Sequence, residues 1–460
     1  LADTWENTKY NTTEGNEFYV TTMKNANGAA TDVAIAIYLY ATSRQDTYLR
    51  LVHHSSNWDT IIPITAGGQN GLKVPAEYVY SDISKDITDN DLSMDKVLQV
   101  SVLQDECLHA YTCDSFGELD TTQKVSLYIT NYYSQNGFEA TNILPIDALE
   151  REYMVQTYFN DQGGTEFAII ATKDKQQFDI KARVGCDTDV DWYTISFTCD
   201  KGQTRLIRAA NNECSLAGTI ICSDTNFVVI NGNQNVNLGH QSHIFEQSPS
   251  ADKWGKEYIV TRTHGHTEDY VLLTAIEDFT TILENGVAVA QLMRGETYDC
   301  ILSSEVAHYK ANKKFICYLY ETGDSYEEIS EQGSPAMSVI TPVEMGLNSI
   351  VIAEFNATAD DLKLEPQQYE KYYKINDHFI NIVVETRYKE SMQIGNQKIT
   401  GFKQVPGTNY SYVLHKIDTT NTSRVLKCTD PNGTFTARMY GYRYYETGTG
   451  TRKQKNFILL

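Results

Sequence analysis

The chain has 460 residues, 41% of them hydrophobic, a formal charge of −22 and a pI near 4.8. That length suits one large repeat-built domain or two to four ordinary ones. So acidic a surface repels phosphate backbones and anionic leaflets, which argues against a nucleic-acid partner, and no apolar run approaches the 18 residues of a transmembrane segment.

The start, "LADTWENTKYNTTEG", reads as a mature or trimmed terminus from which a secretion signal or lipid-anchor cysteine would already be gone. From there the chain is written in short alternating or apolar runs, punctuated by Gly, Asn and Asp. In order they fall at 17–22, 33–40, 96–103, 124–130, 167–172, 194–198, 204–209, 219–222, 227–230, 270–275, 315–320, 350–355 and 379–386. Tyr is abundant, 31 residues against 16 Phe and 4 Trp, and Tyr, Thr and Val suit half-buried pleated surfaces. Capped 3.6-residue periodicity is nearly absent. Short helical pieces are expected only in connections, at 146–152 and 364–373. The chain therefore reads as all-β.

One sentence recurs. Residues 16–42 ("NEFYVTTMKNANGAATDVAIAIYLYAT"), 151–174 ("REYMVQTYFNDQGGTEFAIIATKD") and 256–278 ("KEYIVTRTHGHTEDYVLLTAIED") share Glu, an aromatic, a Val two positions on, and Thr. A polar loop and a second apolar run follow each time. A degraded fourth copy begins near "NSIVIAEF", and prolines at 145, 249 and 342 lead into the last three copies. A second unit, 216–234, has a partner at 306–323. Repeats of this kind set the architecture before anything else.

Strand spacing gives windows of about four strands each: 31–82, 95–158, 166–210, 215–263, 269–304, 307–357 and 375–446. Seven such groups predict a seven-bladed β-propeller forming one domain over 1–460, closed by strand 17–22 against 440–445. The alternative is a row of β-sandwich domains with boundaries near 140, 250 and 345.

The motifs "LPIDALEREYMVQTY", "EFAIIATKD", "LAGTIICSDTNFVVINGN", "HIFEQSPSADKWGKEYIVT" and "RGETYDCILSS" resemble the N-terminal domain of IgGFc-binding proteins, which occurs in an animal mucus protein and in Bacteroidetes-type bacterial surface proteins. The resemblance runs over roughly 15–360, and more weakly to the end. Asn226 stands where the family's GTxIxSxxP pattern carries Pro, and Lys313 or Lys314 does so in the second copy. The resemblance implies an extracellular, cell-surface, non-enzymatic adhesion or ligand-binding module. Its partner would be a host mucus glycoprotein, an immunoglobulin or another surface protein.

No ligand-binding residue can be assigned from the sequence. No G-x-S-x-G, H-E-x-x-H or phosphate-loop motif is present, so no catalytic residue is assigned either. In "CDTDVDW", Asp187, Asp189 and Asp191 alternate and could converge on calcium, but the EF-hand pattern fails at Trp192 (position six) and Thr198 (position twelve). A solvated acidic turn is the plainer reading, and no cofactor is expected. His240 and His243, and His264 and His266 with Asp269, lack fixed metal-ligand spacing. No CxxC occurs among nine cysteines. By spacing, Cys107 would pair with Cys113, Cys186 with Cys199 and Cys214 with Cys222. The Tyr-rich stretches 130–138 and 440–448 are the best candidates for ligand-facing loops. The apolar end "QKNFILL" supports a second function: a structural subunit of a fibre, surface layer or secretion-linked assembly that donates this strand to a neighbour.

Overall fold

The computed structural model describes residues 13–25, 35–67, 70–82, 85–86, 93–103, 122–133, 137–159, 163–186, 189–323, 334–352, 375–417, 425–446 and 452–459. One strand order is used four times, each time across two sheets. In the first unit the strands are β1 (Glu17–Val20), β2 (Ile35–Ser43), β3 (Thr47–His53), β4 (Asp59–Ile64), β5 (Asn70–Val74), β6 (Leu98–Leu103), β7 (Val125–Tyr133) and β8 (Gly137–Ile143). They form an outer sheet β1-β6-β3-β4 and an inner sheet β8-β7-β2-β5.

The second unit comprises β9 (Glu152–Met154), β10 (Thr165–Ala171), β11 (Gln176–Cys186), β12 (Asp189–Cys199), β13 (Thr204–Arg208), β14 (Ile220–Ser223), β15 (Phe227–Asn237) and β16 (Gln241–Gln247). Its sheets are β9-β14-β11-β12 and β16-β15-β10-β13. The third comprises β17 (Gly255–Thr261), β18 (Asp269–Ala275), β19 (Thr280–Glu284), β20 (Val287–Leu292), β21 (Thr297–Leu302), β22 (Val306–Glu321) and β23 (Ala336–Val339). Here β22 runs unbroken through both sheets: its first half pairs β17 and β19, its second half β18 and β23. The fourth comprises β24 (Ser349–Val351), β25 (Ile375–Glu385), β26 (Met392–Ile394), β27 (Gln397–Lys398), β28 (Tyr410–Lys416), β29 (Val425–Cys428), β30 (Phe435–Glu446) and β31 (Arg452–Leu459), in sheets β24-β29-β26-β27 and β31-β30-β25-β28. Shorter strands extend several of these sheets.

The recurring sentence is now explained. Its Glu-aromatic-x-Val is the first strand of an outer sheet, and its apolar run is the inner-sheet strand that follows. The aromatic anchors the turn before it: Tyr153 Oη accepts the Glu150 N–H at 3.2 Å, and Tyr258 Oη the Gly255 N–H at 2.9 Å. The proline lead-ins enter one-turn 3₁₀ helices, Ile146–Ala148, Ala251–Lys253 and Val343–Met345. The helix expected over 146–152 is thus a single turn, and the one expected at 364–373 lies outside the described residues. Gly255 must be glycine, because a Cβ there would lie 2.2 Å from the Pro342 ring.

Inner sheets are buried on both faces, which is why their strands read as continuous apolar runs. In β10, Phe167, Ile169 and Ala171 face the second unit's core, while Ala168 and Ile170 face the first unit. In β18, Val271 and Leu273 face the third core, while Leu272 packs with Val236 and Ile244 of the second unit. Phe379 and Val383 of β25 meet Ala336 and Ile259 of the third unit. Tyr38 and Tyr40 of β2 pack with Ile380 and Ile382 of the fourth. The four units therefore close a ring, and their last strands, β8, β16, β23 and β31, neighbour one another in turn at its centre.

This corrects the propeller expectation. Among the described residues no ring of four-stranded blades is found. β1 pairs β6 rather than 440–445, and β30 pairs β25 and β31. The physical reason is strand exchange. The chain crosses repeatedly between the two sheets of a unit, so windows of sequence neighbours do not correspond to sheets. The apolar end of the chain, as β31, pairs β30 of its own unit.

Candidate functional site

The outer sheets end on β4, β12, β20 and β27. β12 is the longest of these, with 11 residues, and its side chains alternate. Ile195, Phe197 and Cys199 point into the core, while even-numbered positions point outward. Toward its start the strand outruns the core, leaving Val190 (43%), Trp192 (44%) and Tyr193 (39%) exposed. Trp192 lies opposite Arg183, and Lys181 Nζ sits 4.9 Å from its ring centroid, a cation–π contact. The third unit abuts this corner. Arg294 Nη2 donates to Glu152 Oε1 at 2.6 Å, and Trp192 Cη2 lies 3.8 Å from where a Cβ on Gly295 would stand. Exposed Phe279 and Met293 flank the paired residues Thr280 and Leu292 nearby.

The disulfide fixes the same hairpin. Cys186 bonds Cys214, which lies directly opposite it in register. The pairings expected from spacing, Cys186–Cys199 and Cys214–Cys222, do not form. The β11–β12 register sets Cys186 opposite Asp189 but Cys199 opposite Gln176, at the far end of the hairpin. Cys199 and Cys222 are free thiols, and Cys107 and Cys113 lie outside the described residues.

Asp189 and Asp191 sit at the exposed start of β12; Asp187 lies outside the described residues. Among the described residues no three His, Cys, Asp or Glu side chains converge to hold a metal ion. The Tyr-rich stretches are not surface loops where described: Tyr132, Tyr133, Tyr440 and Tyr442 are buried in β7 and β30. Strand register, invisible to composition, turned them inward.

The histidines divide. His240 is exposed. His243 is buried between the first and second units, with Nδ1 2.9 Å from Glu139 Oε2 and Nε2 4.0 Å from Glu166 Oε1. Burial holds His243 down at about 3 and pushes Glu166 up to about 8, even though Gln234 Nε2 donates to Glu166 Oε2 at 2.7 Å. Burial, then the neighbouring Glu246, raises Glu139 well above the carboxylate range. This is a neutral, proton-holding cluster. The "THGHTED" loop forms the joint between the third and fourth units. His264 N donates to Tyr440 Oη at 2.9 Å, His266 Nδ1 lies 2.8 Å from Asp269 Oδ1, and the Arg438 guanidinium pairs with Glu321. Burial alone would raise Asp269, but His266, the Thr263 N–H and Arg438 outweigh it and hold the carboxyl below its ordinary range. Sequence reasoning missed Trp192 and Tyr193 as an exposed pair, and the interior carboxylates Glu139, Glu166 and Glu321; the signal lay in pairing register.

Paired antiparallel sheets closed into a ring, one of them ending on an aromatic-bearing edge strand, define an all-β protein. The chain belongs to the IgGFc binding protein family, whose model matches residues 139–441. The match starts later than the resemblance suggested, and its end at 441 falls in the stretch where the resemblance is weaker. It takes in the second and third units and the fourth through Gly441 of β30. The first unit lies almost wholly outside it, yet repeats the same strand order. No curated protein matches the chain. Among the described residues no helix is long and apolar enough to cross a membrane.

Proposed function

We propose that the chain is an extracellular protein-binding module, built as four tandem sandwich units of one strand order, that takes a protein or glycoprotein ligand along the β12 edge. The observation carrying this reading is Trp192, exposed on a terminal strand beside Lys181 and Arg183. Exposed Trp, Tyr and Arg are the residues that dominate protein interfaces, and an open sheet edge offers main-chain hydrogen bonds to an added strand. Family membership supports immunoglobulin Fc as the first ligand to try. The Cys186–Cys214 bond fits an oxidising, extracellular setting.

The test is biolayer interferometry on immobilised IgG Fc with wild type and a Trp192→Ala/Tyr193→Ala double variant. Wild type binds, and the variant loses at least about tenfold in affinity with its unfolding midpoint unchanged. Wild-type failure to bind removes Fc as the ligand. Equal binding by the variant removes the β12 edge.

A further inference from the structure

We propose that the cavity at the centre of the ring binds a small uncharged molecule with an aromatic or branched apolar body and an amide or hydroxyl end. The cavity has a volume of about 180 Å³ and is walled by all four units, among them Trp254, Ile316, Ile340, Ile380 and Met439. An apolar cavity of roughly 150 Å³ is enough to hold benzene, so this one admits a ring with a short polar substituent.

Polar groups also reach its wall. Glu246, Gln247 and Asn142 line it and are 1%, 2% and 3% exposed. Gln247 Nε2 and Asn142 Oδ1 have no hydrogen-bond partner among the described residues, and the Glu246 carboxyl has none beyond the neighbouring Thr141 hydroxyl. The neighbouring Thr141 hydroxyl is already engaged: it donates to Asn142 O at 3.3 Å and accepts the Gln247 N–H at 3.1 Å. Gln247 Oε1 is likewise engaged, accepting the Leu144 N–H at 3.1 Å. Buried polar groups are ordinarily satisfied, and an unpaired donor and acceptor beside a buried carboxyl on one cavity wall point to a missing partner. Together they present a donor (Gln247 Nε2), an acceptor (Asn142 Oδ1) and a carboxyl. Burial holds that carboxyl in its neutral form, which can both donate and accept. A primary amide meets all three. A carboxylate does not: it leaves Asn142 Oδ1 without a donor, and the cation on the wall, Lys253, already pairs with Asp252, Nζ to Oδ2 at 3.0 Å.

The test is calorimetric titration of the full chain with benzamide, toluene and benzoate. Benzamide binds saturably at one site, about tenfold or more tighter than toluene, and benzoate does not bind. Ala437→Leu, which fills the cavity, abolishes benzamide binding. Glu246→Met weakens benzamide about tenfold and leaves toluene unchanged, while thermal melts confirm that both variants fold. No saturable heat with any probe would mean the cavity holds only water, and would overturn the proposal. So would equal affinities for benzamide and toluene, or benzamide binding that survives Ala437→Leu.

Discussion

Glu166→Gln tests the proton-holding cluster between the first two units. Glu166 is fully buried; its carboxyl sits near 8, against an ordinary value of 4.5. Between those values the folded chain keeps a proton that the unfolded chain releases. The group's contribution is therefore most favourable below about pH 4.5 and is lost as pH rises through 8. One proton corresponds to about 1.4 kcal/mol per pH unit, so the full window amounts to roughly 5 kcal/mol. Gln preserves the shape and the contact with Gln234 but cannot titrate. Urea unfolding followed by tryptophan fluorescence from pH 5 to 8.5 should show wild type losing stability towards alkaline pH. The variant's slope should be shallower by about one proton. Glu139 and Glu246, raised for the same reason, keep some slope in both proteins. Parallel curves would refute the reasoning, because they would mean Glu166 is already ionised in the folded state.

Cys214→Ser opens a bridge between residues 28 apart and should cost about 3–4 kcal/mol by loop-closure entropy; non-reducing peptide mapping should recover Cys186 linked to Cys214, and any link to Cys199 or Cys222 would contradict the register. Arg438→Met leaves Glu321 buried without its cation and should cost about 3–5 kcal/mol, much of it recovered when Glu321→Met is added; equal urea midpoints for the single and double variants would remove that ion pair from the joint.

Much of the fold was legible locally. Tyr, Thr and Val content and the near absence of helical period marked the chain as all-β, and the repeated Glu-aromatic-x-Val marked equivalent strands. The proline lead-ins at 145, 249 and 342 fall at the joints between units. What could not be read was pairing. β1 finds β6 across some 80 residues, and β2 finds β7 across a similar gap, so sequence neighbours gave blades where the structure has exchanged strands. The same blindness hid the disulfide, since Cys186 and Cys214 meet only because a strand register sets them opposite. It also misplaced the tyrosines: Tyr440 and Tyr442 have the composition of a binding loop and the burial of a core. Trp192 stood inside a quoted motif, but nothing local says that β12 outruns its core.

The closure of the ring has a consequence for how the chain is made. Tyr38 and Tyr40 emerge from synthesis more than 300 residues before the residues that cover them, Ile380, Ile382 and Met439. At elongation rates of about 5–20 residues per second, that face waits on the order of 15 to 60 seconds with its aromatic rings in water. A nascent chain of this design carries a timed vulnerability on its first unit, and the fourth unit ends it by covering that face.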